Sequence, residues 1–269
     1  MEALRQVADW PARTAAAGAV TAIDELGVVG PRAATLPWAS VTKLLSALAI
    51  LVAVEEGIVD LDEPAGPPGS TLRHLLAHAS GLPMNEGPPI APPRRRRIYS
   101  NAGIEAAAAV VETAAEMPFG DYLRWAVLSP LGLAGRLGFS PAWGYAGPLD
   151  DLLLLGRELL APTLVARETL AEATTVQFPG LVGVLPSFGR MDPNDWGLGF
   201  ELRDAKSPHW TGTRNSPATF GHFGASGTFL WVDPEAGVAC GVLAEHEFGD
   251  WAKDAWPRLS DAVLAQAGR

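Results

Sequence analysis

The stretch "PWASVTKLLSALAILVAVEEG", residues 37–57, places a lysine at the head of a long apolar segment. Residues 40–56 carry a helical pattern of apolar side chains, and Gly57 is a typical stop signal. Lysine is rare in this chain, because 17 of its 20 basic residues are Arg. Positive charge alone therefore does not explain why a lysine, Lys43, stands three residues after Ser40.

Positions i and i+3 of a helix share a face, so Oγ of Ser40 and Nζ of Lys43 can meet. A serine hydroxyl is a poor nucleophile until a base takes its proton, and a neutral lysine can be that base. Burial and the positive end of a helix both favour the neutral amine, whereas an arginine would stay protonated. The alternative interpretation is structural: Ser40 caps the helix and Lys43 is a solvent-exposed residue of its first turn.

A second polar stretch, "IYSNAG" (98–103), precedes another predicted helix. Its spacing places Tyr99 and Asn101 on one side of a short loop, with Ser100 pointing away. A tyrosine phenol can relay a proton, and an asparagine amide can hold an acyl carbonyl and also bridge to Lys43. These residue types complement the Ser40–Lys43 pair.

A third stretch, "FGHFGASGT" (220–228), places His222 on a predicted strand, with Gly224 two residues later. Small residues at this point let a substrate lie along the edge of the strand. The backbone N–H groups of Ala225 and Ser40 could then point together at an oxyanion.

These motifs, in this order, resemble those of the serine β-lactamase and penicillin-binding-protein superfamily, in its class C β-lactamase and esterase-like branch. "SVTK" (40–43) is similar to the first motif, "YSN" (99–101) to the second and "HFG" (222–224) to the third. The segments "LRHLLAHASGLP" (72–83) and "DPEAGVACGVL" (233–243) also resemble family segments. The likeness runs from about residue 18 to the C-terminus.

The resemblance implies an acyl-enzyme at Ser40, with Lys43 and Tyr99 as the general-base network. It implies substrate contacts from the motif residues Asn101, His222 and Gly224, and from Ala225, which follows the third motif. The implied substrate is a small-molecule ester, amide or β-lactam, and neither a metal nor an organic cofactor is expected.

Two departures from the family pattern bear on the substrate. The chain is shorter than typical members before Tyr99 and in its helical middle. Its third motif begins with His222, where the family's β-lactamases usually carry a lysine that helps to bind the substrate carboxylate. We therefore favour an ester or amide hydrolase over a true β-lactamase, and a catalytically silent binding module of the same fold remains a further alternative.

The fold class expected is α/β (α+β): an antiparallel sheet flanked by N- and C-terminal helices, with an inserted all-helical subdomain. We expect a single domain, 1–269, in which residues 1–62 and 176–269 form the sheet layer and residues 63–175 the helical subdomain. The strands and hairpins predicted by alternation and turn residues are 18–30, 196–204, 218–234 and 237–245. The helices predicted by periodicity are 1–17 with an interruption near Pro11, 40–56, one or two turns within 70–83 with Ser70 as the cap and a Gly-Leu-Pro stop, 101–117, 119–133 with a proline break, 148–160, 163–175 and 248–268.

The composition is that of a globular protein, with a net charge of −10 that disfavours a general nucleic-acid binder. The single cysteine, Cys240, excludes an internal disulfide. The N-terminus lacks the pattern of a signal peptide, and the apolar run 44–54 is too short to span a bilayer. A cytoplasmic location is therefore predicted, and the sequence leaves the oligomeric state open.

Three other features have an ordinary structural interpretation and a functional one. His74 and His78, four residues apart on a predicted helix, are expected to pack rather than to bind a metal. The run "RRRR" (94–97) is expected to be a solvated loop, with attraction of anionic substrates as the alternative. Trp38, beside Ser40, is expected to pack in the core, with a wall of the acyl pocket as the alternative.

Overall fold

The computed structural model describes residues 1–268, and its central element is a six-stranded antiparallel sheet. The strands are β1 (Ala15–Val20), β2 (Glu25–Val29), β3 (Leu36–Pro37), β4 (Arg136–Leu137), β5 (Tyr145–Gly147), β6 (Gly183–Leu185), β7 (Gly189–Met191), β8 (Glu201–Leu202), β9 (Phe220–Phe223), β10 (Phe229–Asp233) and β11 (Val238–Ala244). The order in the large sheet is β2-β1-β11-β10-β9-β8. The N-terminal hairpin therefore completes a sheet built mainly by the C-terminal part of the chain.

In the described part of the chain, residues 1–268, eight α-helices accompany this sheet. They are α1 (Thr42–Glu55), α2 (Leu72–Leu76), α3 (Asn101–Ala114), α4 (Phe119–Leu123), α5 (Ser129–Leu131), α6 (Leu149–Leu160), α7 (Arg167–Ala173) and α8 (Asp250–Gln266). A π-helical turn, Arg124–Leu128, joins α4 to α5 just before Pro130, so the predicted break falls inside residues 119–133. Within residues 1–268, no helix combines the length and the apolarity needed to cross a membrane.

Helix α1 is the most buried of the described helices, since every residue from Thr42 to Ala53 is buried. A helix that is apolar all round lies inside a protein rather than on its surface, as the run 44–54, in which Ser46 is the one polar residue, indicates. One core cluster packs around α1 and α6, and a second fills the opposite face of the sheet beneath α8. On that second face Trp231 donates its indole N–H to Ser260 Oγ of α8 at 3.0 Å. The predicted α/β class, with an antiparallel sheet between helices, is confirmed.

The middle of the chain is less uniformly helical than predicted. It contributes β4 and β5, which form a small three-stranded sheet with β3. Helix α6, which the sequence assigns to the helical subdomain, lies on the large sheet: a Cβ added at Gly156 would meet Ala239 Cβ of β11 at 3.0 Å, and one at Gly241 would meet Leu152 Cβ at the same distance. The subdomain boundaries stay a prediction, and α6 is the element that crosses them.

The predicted helix over residues 1–17 is wrong in its second half. A 3₁₀ helix spans Glu2–Asp9, and β1 already begins at Ala15. Trp10, just before Pro11, is extended with ψ 153°, because a proline disfavours helical backbone in the residue before it. The three alanines Ala15–Ala17 pair with β11, for example Ala17 with Val242, and are therefore in the sheet despite the high helical propensity of alanine.

The predicted strand 196–204 is largely a turn, with only Glu201–Leu202 in the sheet. Gly199 has φ +81° and approaches α1 so closely that an added Cβ would lie 2.5 Å from Ala47 Cβ. That left-handed backbone interrupts the extended conformation. Helix α2 supplies the one or two helical turns predicted within 70–83. Its N-cap is Thr71 rather than Ser70, because the Ser70 N–H closes a turn onto Pro67 O at 2.9 Å.

Candidate active site

The Ser40–Lys43 pair lies at the start of α1. Ser40 is in a single 3₁₀ turn, Ala39–Val41, that runs directly into the helix. Nζ of Lys43 is 3.1 Å from Oγ of Ser40, as the i, i+3 spacing predicts. Ala39 has φ +46°, a left-handed conformation that costs a non-glycine residue about 1–3 kcal/mol. The surrounding fold therefore stabilises a strained turn next to the serine.

Lys43 has two further partners, and both are acceptors. Its Nζ is 2.7 Å from Asn101 Oδ1 and 2.9 Å from the carbonyl oxygen of Ala142. A neutral lysine amine has two N–H donors and one lone pair. If the donors bond Asn101 and Ala142, the lone pair faces Ser40 and can accept its proton.

The environment of Lys43 favours this neutral form. Its side chain is fully buried, and burial lowers its pKa from 10.5 to about 7. The carboxylate of Glu105 on α3 opposes this by raising the pKa. A substantial fraction of neutral amine is therefore present at neutral pH, which a solvent-exposed lysine would not provide.

Tyr99 lies against the same pair. Nζ of Lys43 is 4.8 Å from the centre of its ring, and burial raises the pKa of the phenol, with a hydrogen bond to Ser40 opposing that shift. Tyr99 therefore keeps its proton near neutral pH. A protonated phenol can relay a proton between two groups, but it does not act as a general base in the way that a phenolate would.

His222 on β9 lies behind Tyr99. Its Nδ1 is 2.7 Å from the backbone oxygen of Phe223, and since a carbonyl can only accept, Nδ1 carries the ring proton. Nε2 is then an acceptor, 3.4 Å from the Tyr99 hydroxyl. Burial, with the charge of Lys43, lowers the pKa of His222 to about 3. The head of the third motif is thus a neutral acceptor and supplies no positive charge.

The loop before α3 is held by polar contacts that explain the "YSN" spacing. Ser100 is the N-cap of α3: its Oγ accepts the N–H of Gly103 at 2.8 Å and donates to Pro83 O at 2.6 Å. Its own N–H donates to His78 Nδ1 at 3.2 Å. Ser100 therefore points away from the site, as predicted, and Asn101 becomes the first helical residue with its side chain on Lys43.

Gly224 and Ala225 follow β9, and Gly224 lies beside the serine. A Cβ added at Gly224 would fall 2.4 Å from Trp38 O and 3.2 Å from the backbone nitrogen of Ser40. Only glycine fits this contact, and it brings the end of β9 against Ser40. Ala225 comes next in the chain and is exposed. The structure thus brings all seven predicted site residues into one region, and their catalytic roles remain predictions.

Sequence reasoning missed a group that supports Lys43 from the other side. Ser140 Oγ donates to Glu105 Oε1 at 2.7 Å and accepts the N–H of Ala142 at 3.1 Å. This arrangement fixes the Ala142 carbonyl that bonds Lys43. A backbone carbonyl has no side-chain signature, so the sequence carried no signal for it.

The arginine run contains a second missed residue. Arg94, Arg95 and Arg96 are exposed, as predicted, but the side chain of Arg97 is fully buried, and the prediction of a solvated run is wrong there. Its guanidinium donates to four backbone oxygens, at 2.6 to 3.1 Å: those of Ala77, Gln177, Phe178 and Asn194. Arg97 therefore fixes the loop that carries Tyr99.

His74 and His78 do not share a helix face, because α2 ends at Leu76 and His78 has φ +54°. Their Nδ1 atoms bond Thr71 and Ser100, which agrees with the packing interpretation. Among residues 1–268, no group of three or more His, Cys, Asp or Glu side chains is arranged to hold a metal ion. Trp38 is buried and donates to Gly147 O at 3.3 Å, in agreement with its predicted core role.

Comparison with known proteins agrees with this geometry. The family model described as Beta-lactamase matches residues 31–264, which is most of the chain. The chain belongs to the beta-lactamase family. Members of this family are generally serine hydrolases that act on small-molecule amides, esters or β-lactams. The resemblance inferred from the three motifs is confirmed.

Individual relatives refine the comparison. The crystal structure of a beta-lactamase from Mycobacterium bovis is 52% identical, with a TM-score of 0.97, and the match covers 98% of this chain and 99% of that one. EstCE1, described as a hydrolase with promiscuous acyltransferase activity, is similar in fold alone, at 17% identity, a TM-score of 0.79 and coverage of 98% and 97%. Penicillin-binding protein 4* of Bacillus subtilis (strain 168) is 30% identical in a match of 128 residues that covers 35% of this chain and 28% of that protein.

Proposed function

We propose that this beta-lactamase-family chain is a serine hydrolase that forms an acyl-enzyme at Ser40 and hydrolyses an ester or an amide. The observation that carries the proposal is the buried Lys43 amine, 3.1 Å from Ser40 Oγ, with its two other contacts on acceptors. That arrangement aims the lone pair of a neutral amine at the serine proton.

In the proposed acylation, Lys43 takes the proton of Ser40 as Oγ attacks the substrate carbonyl. The backbone N–H groups of Ser40 and Ala225 stabilise the resulting oxyanion. The bond to the leaving group then breaks, and the leaving group takes the proton from Lys43 by way of the Tyr99 phenol. Asn101 positions the acyl group and keeps Lys43 in place.

Deacylation reverses these roles. A water molecule attacks the acyl carbon and gives its proton to the Tyr99–Lys43 network. The bond from the acyl carbon to Oγ of Ser40 breaks, and Ser40 recovers its proton. His222 accepts the Tyr99 hydrogen bond at 3.4 Å and thereby orients the phenol.

The main alternative is hydrolysis of a β-lactam amide, and it is favoured by the 52% identity to a protein described as a beta-lactamase. We rank it second because His222 is held neutral, so the third motif offers no cation to a substrate carboxylate. The cytoplasmic location stays a prediction from the sequence.

The experiment that tests the proposal measures intact protein mass after exposure to a fluorophosphonate, a penicillin and a p-nitrophenyl ester. We expect an adduct on the wild type and none on Ser40→Ala, with turnover reduced about 10³-fold or more by this change. Release of the ester adduct with a persistent penicillin adduct would favour the esterase, and rapid release of the penicillin adduct the lactamase. A folded protein that none of the three probes modifies would instead indicate a catalytically silent module.

A further inference from the structure

A cavity of about 940 Å³ opens beside Tyr99, between the loop 84–98 and the β6–β7 hairpin. A cavity of this size can hold one arm of a drug-sized molecule. Its lining is mainly apolar, with side chains from both walls: Met84, Ile90, Pro92, Ile98, Val184 and Pro186. We call this cavity the acyl groove.

Three of the groove side chains are far more exposed than apolar residues of this size usually are. Met84, Ile90 and Val184 are 52%, 54% and 58% exposed. They face the same cavity from opposite sides, so the exposure is concentrated rather than scattered. A concentrated apolar surface beside a reactive centre is typical of a ligand contact.

Two arginines of the run lie on the same groove. Arg95 and Arg96 line it and are exposed, and no carboxylate within residues 1–268 forms an ion pair with either. The nearby Arg190 differs, because it pairs with Asp192 at 2.9 Å. In a chain with a net charge of −10, two unpaired guanidinium groups at one cavity create a local site for an anion.

The two arginines are not needed to hold the loop. Buried Arg97 fixes it, and so do the backbone bonds from Arg94 N to Ala79 O at 2.8 Å and from Ile98 N to His78 O at 2.9 Å. The side chains of Arg95 and Arg96 are therefore available to a ligand on a loop that is already in place.

We propose that the acyl groove binds the acyl arm of the substrate, and that this arm is an apolar chain carrying a carboxylate or similar anion that pairs with Arg95 and Arg96. The inference rests on the proposed acyl-enzyme at Ser40. The groove reaches the reaction centre at Tyr99, and Met84 O accepts the N–H of Asn101, the residue assigned to the acyl group, at 2.8 Å. The apolar lining would contact the chain of such an ester or amide, and the two exposed arginines would contact its anionic group.

The test compares two p-nitrophenyl esters of equal chain length, p-nitrophenyl octanoate and p-nitrophenyl hydrogen suberate, which differ in a terminal carboxylate. The quantity measured is the ratio of their kcat/KM values. We expect Arg95→Gln/Arg96→Gln to lower the ratio of suberate to octanoate about tenfold, because two charge-assisted contacts are lost. The ratio in the wild type should also fall as NaCl is raised.

The matched control is Arg94→Gln/Arg167→Gln, which removes the same charge from exposed residues outside the groove. Its ratio should stay within about twofold of the wild type. An unchanged ratio in the groove variant, or an equal loss in the control, would overturn the inference.

Binding of monomethyl suberate to Ser40→Ala, measured by calorimetry, tests the groove without turnover. Dissociation constants should rise about tenfold when Arg95→Gln/Arg96→Gln is added. If monomethyl suberate does not bind, or if the arginine substitutions leave its affinity unchanged, the groove assignment fails, whether or not Ser40 forms an acyl-enzyme. If binding shows the arginine dependence but the wild type turns over neither ester, the acyl-enzyme proposal fails instead.

Discussion

Among the single side chains, Lys43 is the one on which the proposed chemistry depends. The chain supplies arginine at almost every other basic position, and only lysine can lose its proton near neutral pH. Two opposing influences set its pKa: burial, which lowers it to about 7, and the Glu105 carboxylate, which raises it. The balance between them should be visible in the pH dependence of activity.

We expect kcat/KM for a neutral ester to rise with pH through an apparent pKa near 7, because the neutral Lys43 amine is the active form. Glu105→Gln removes the charge that raises this pKa but keeps an oxygen for the hydroxyl of Ser140. The acidic limb of the profile should therefore move to lower pH. A pH–rate profile from pH 5 to 9 measures the shift.

The control for Glu105→Gln is Glu168→Gln, an exposed carboxylate at the start of α7, which should leave the profile unchanged. A shift of the Glu105→Gln limb to higher pH would contradict the assignment of Lys43 as the base. A profile without an acidic limb near 7 would do so as well.

At the level of elements, the site forms where α1, α3 and the end of β9 converge. The close approach of the end of β9 to the 3₁₀ turn that carries Ser40 depends on Gly224, and the position of the loop that carries Tyr99 depends on Arg97. Neither residue needs to touch the substrate through its side chain. Both act by fixing the backbone on which reacting groups are carried.

Gly224→Ala should lower kcat/KM about 10²-fold, because its Cβ would lie 2.4 Å from Trp38 O and the strand end must move away from Ser40. The obstructing atoms are backbone, so a side-chain rotation cannot relieve the contact. Gly120→Ala is the control, since the nearest atom to its added Cβ, a Leu137 methyl, is 3.9 Å away. The measurement is kcat/KM for ester hydrolysis by the two variants and the wild type. Full activity of Gly224→Ala would show that the close approach of the strand end to Ser40 is unnecessary.

Arg97→Met should lower the free energy of unfolding by about 3 kcal/mol or more. The change leaves four carbonyl oxygens without their buried donor and removes the charge 3.7 Å from Asp195. Arg96→Met, at an exposed position in the same loop, should change stability by less than about 0.5 kcal/mol. Urea denaturation of the two variants provides the comparison, and equal stabilities would mean that the loop is held by its backbone alone.

For the molecule as a whole, a buried charge cluster ties the edge strand β8 to the rest of the fold. Nζ of Lys206 is 2.7 Å from Glu201 Oε1, and His209 Nε2 and Trp210 Nε1 are each 2.9 Å from Glu201 Oε2. Lys206 also donates to Asp195 O at 2.6 Å, and Asp195 faces Arg97. Buried polar groups thus connect the sheet edge to the loop that carries Tyr99.

This cluster should make the protein sensitive to acid. Burial raises the pKa of Glu201, but the charges of Lys206 and His209 and their hydrogen bonds outweigh it and hold the pKa below its ordinary 4.5. As pH falls below about 4.5 the unfolded chain binds the proton first, so the stabilisation present above that pH is progressively lost. Urea denaturation at pH 7, 5, 4 and 3, followed by tryptophan fluorescence, should show this decline.

Glu201→Gln should cost about 3–5 kcal/mol at pH 7, because Lys206 loses its buried counter-charge, and should weaken the decline in acid. The exposed Glu168→Gln serves again as the reference. A Glu201→Gln variant with the stability and acid response of the wild type would show that the cluster contributes nothing.

The family, the fold class and the seven candidate site residues were all within reach of the sequence. The spacing of Ser40 and Lys43 on a helix indicated the first pair, and the resemblance of "SVTK", "YSN" and "HFG", in that order, to the family's motifs indicated the rest. Such patterns are local, and local geometry is what hydrophobic periodicity and turn residues encode.

The errors have a common physical origin, since each concerns a residue whose conformation is set by distant parts of the chain. Ala15 to Ala17 join the sheet because β11 lies beside them, and Gly199 turns because α1 lies against it. Arg97 is buried because four carbonyls from three separate segments converge on it. Propensity and charge runs contain no information about such neighbours.

The sequence alone therefore determines the motifs and their order, whereas the chemical properties of the site depend on how the chain packs around it. The pKa of Lys43, the proposed base, is lowered because its side chain is buried, and burial likewise keeps His222 neutral. The contact of His222 Nδ1 with Phe223 O then leaves Nε2 as the acceptor that faces Tyr99. The acyl groove likewise exists only where the loop 84–98 meets the β6–β7 hairpin. Residue identity depends on the sequence alone, but burial, pKa and cavity shape depend on which segments come together.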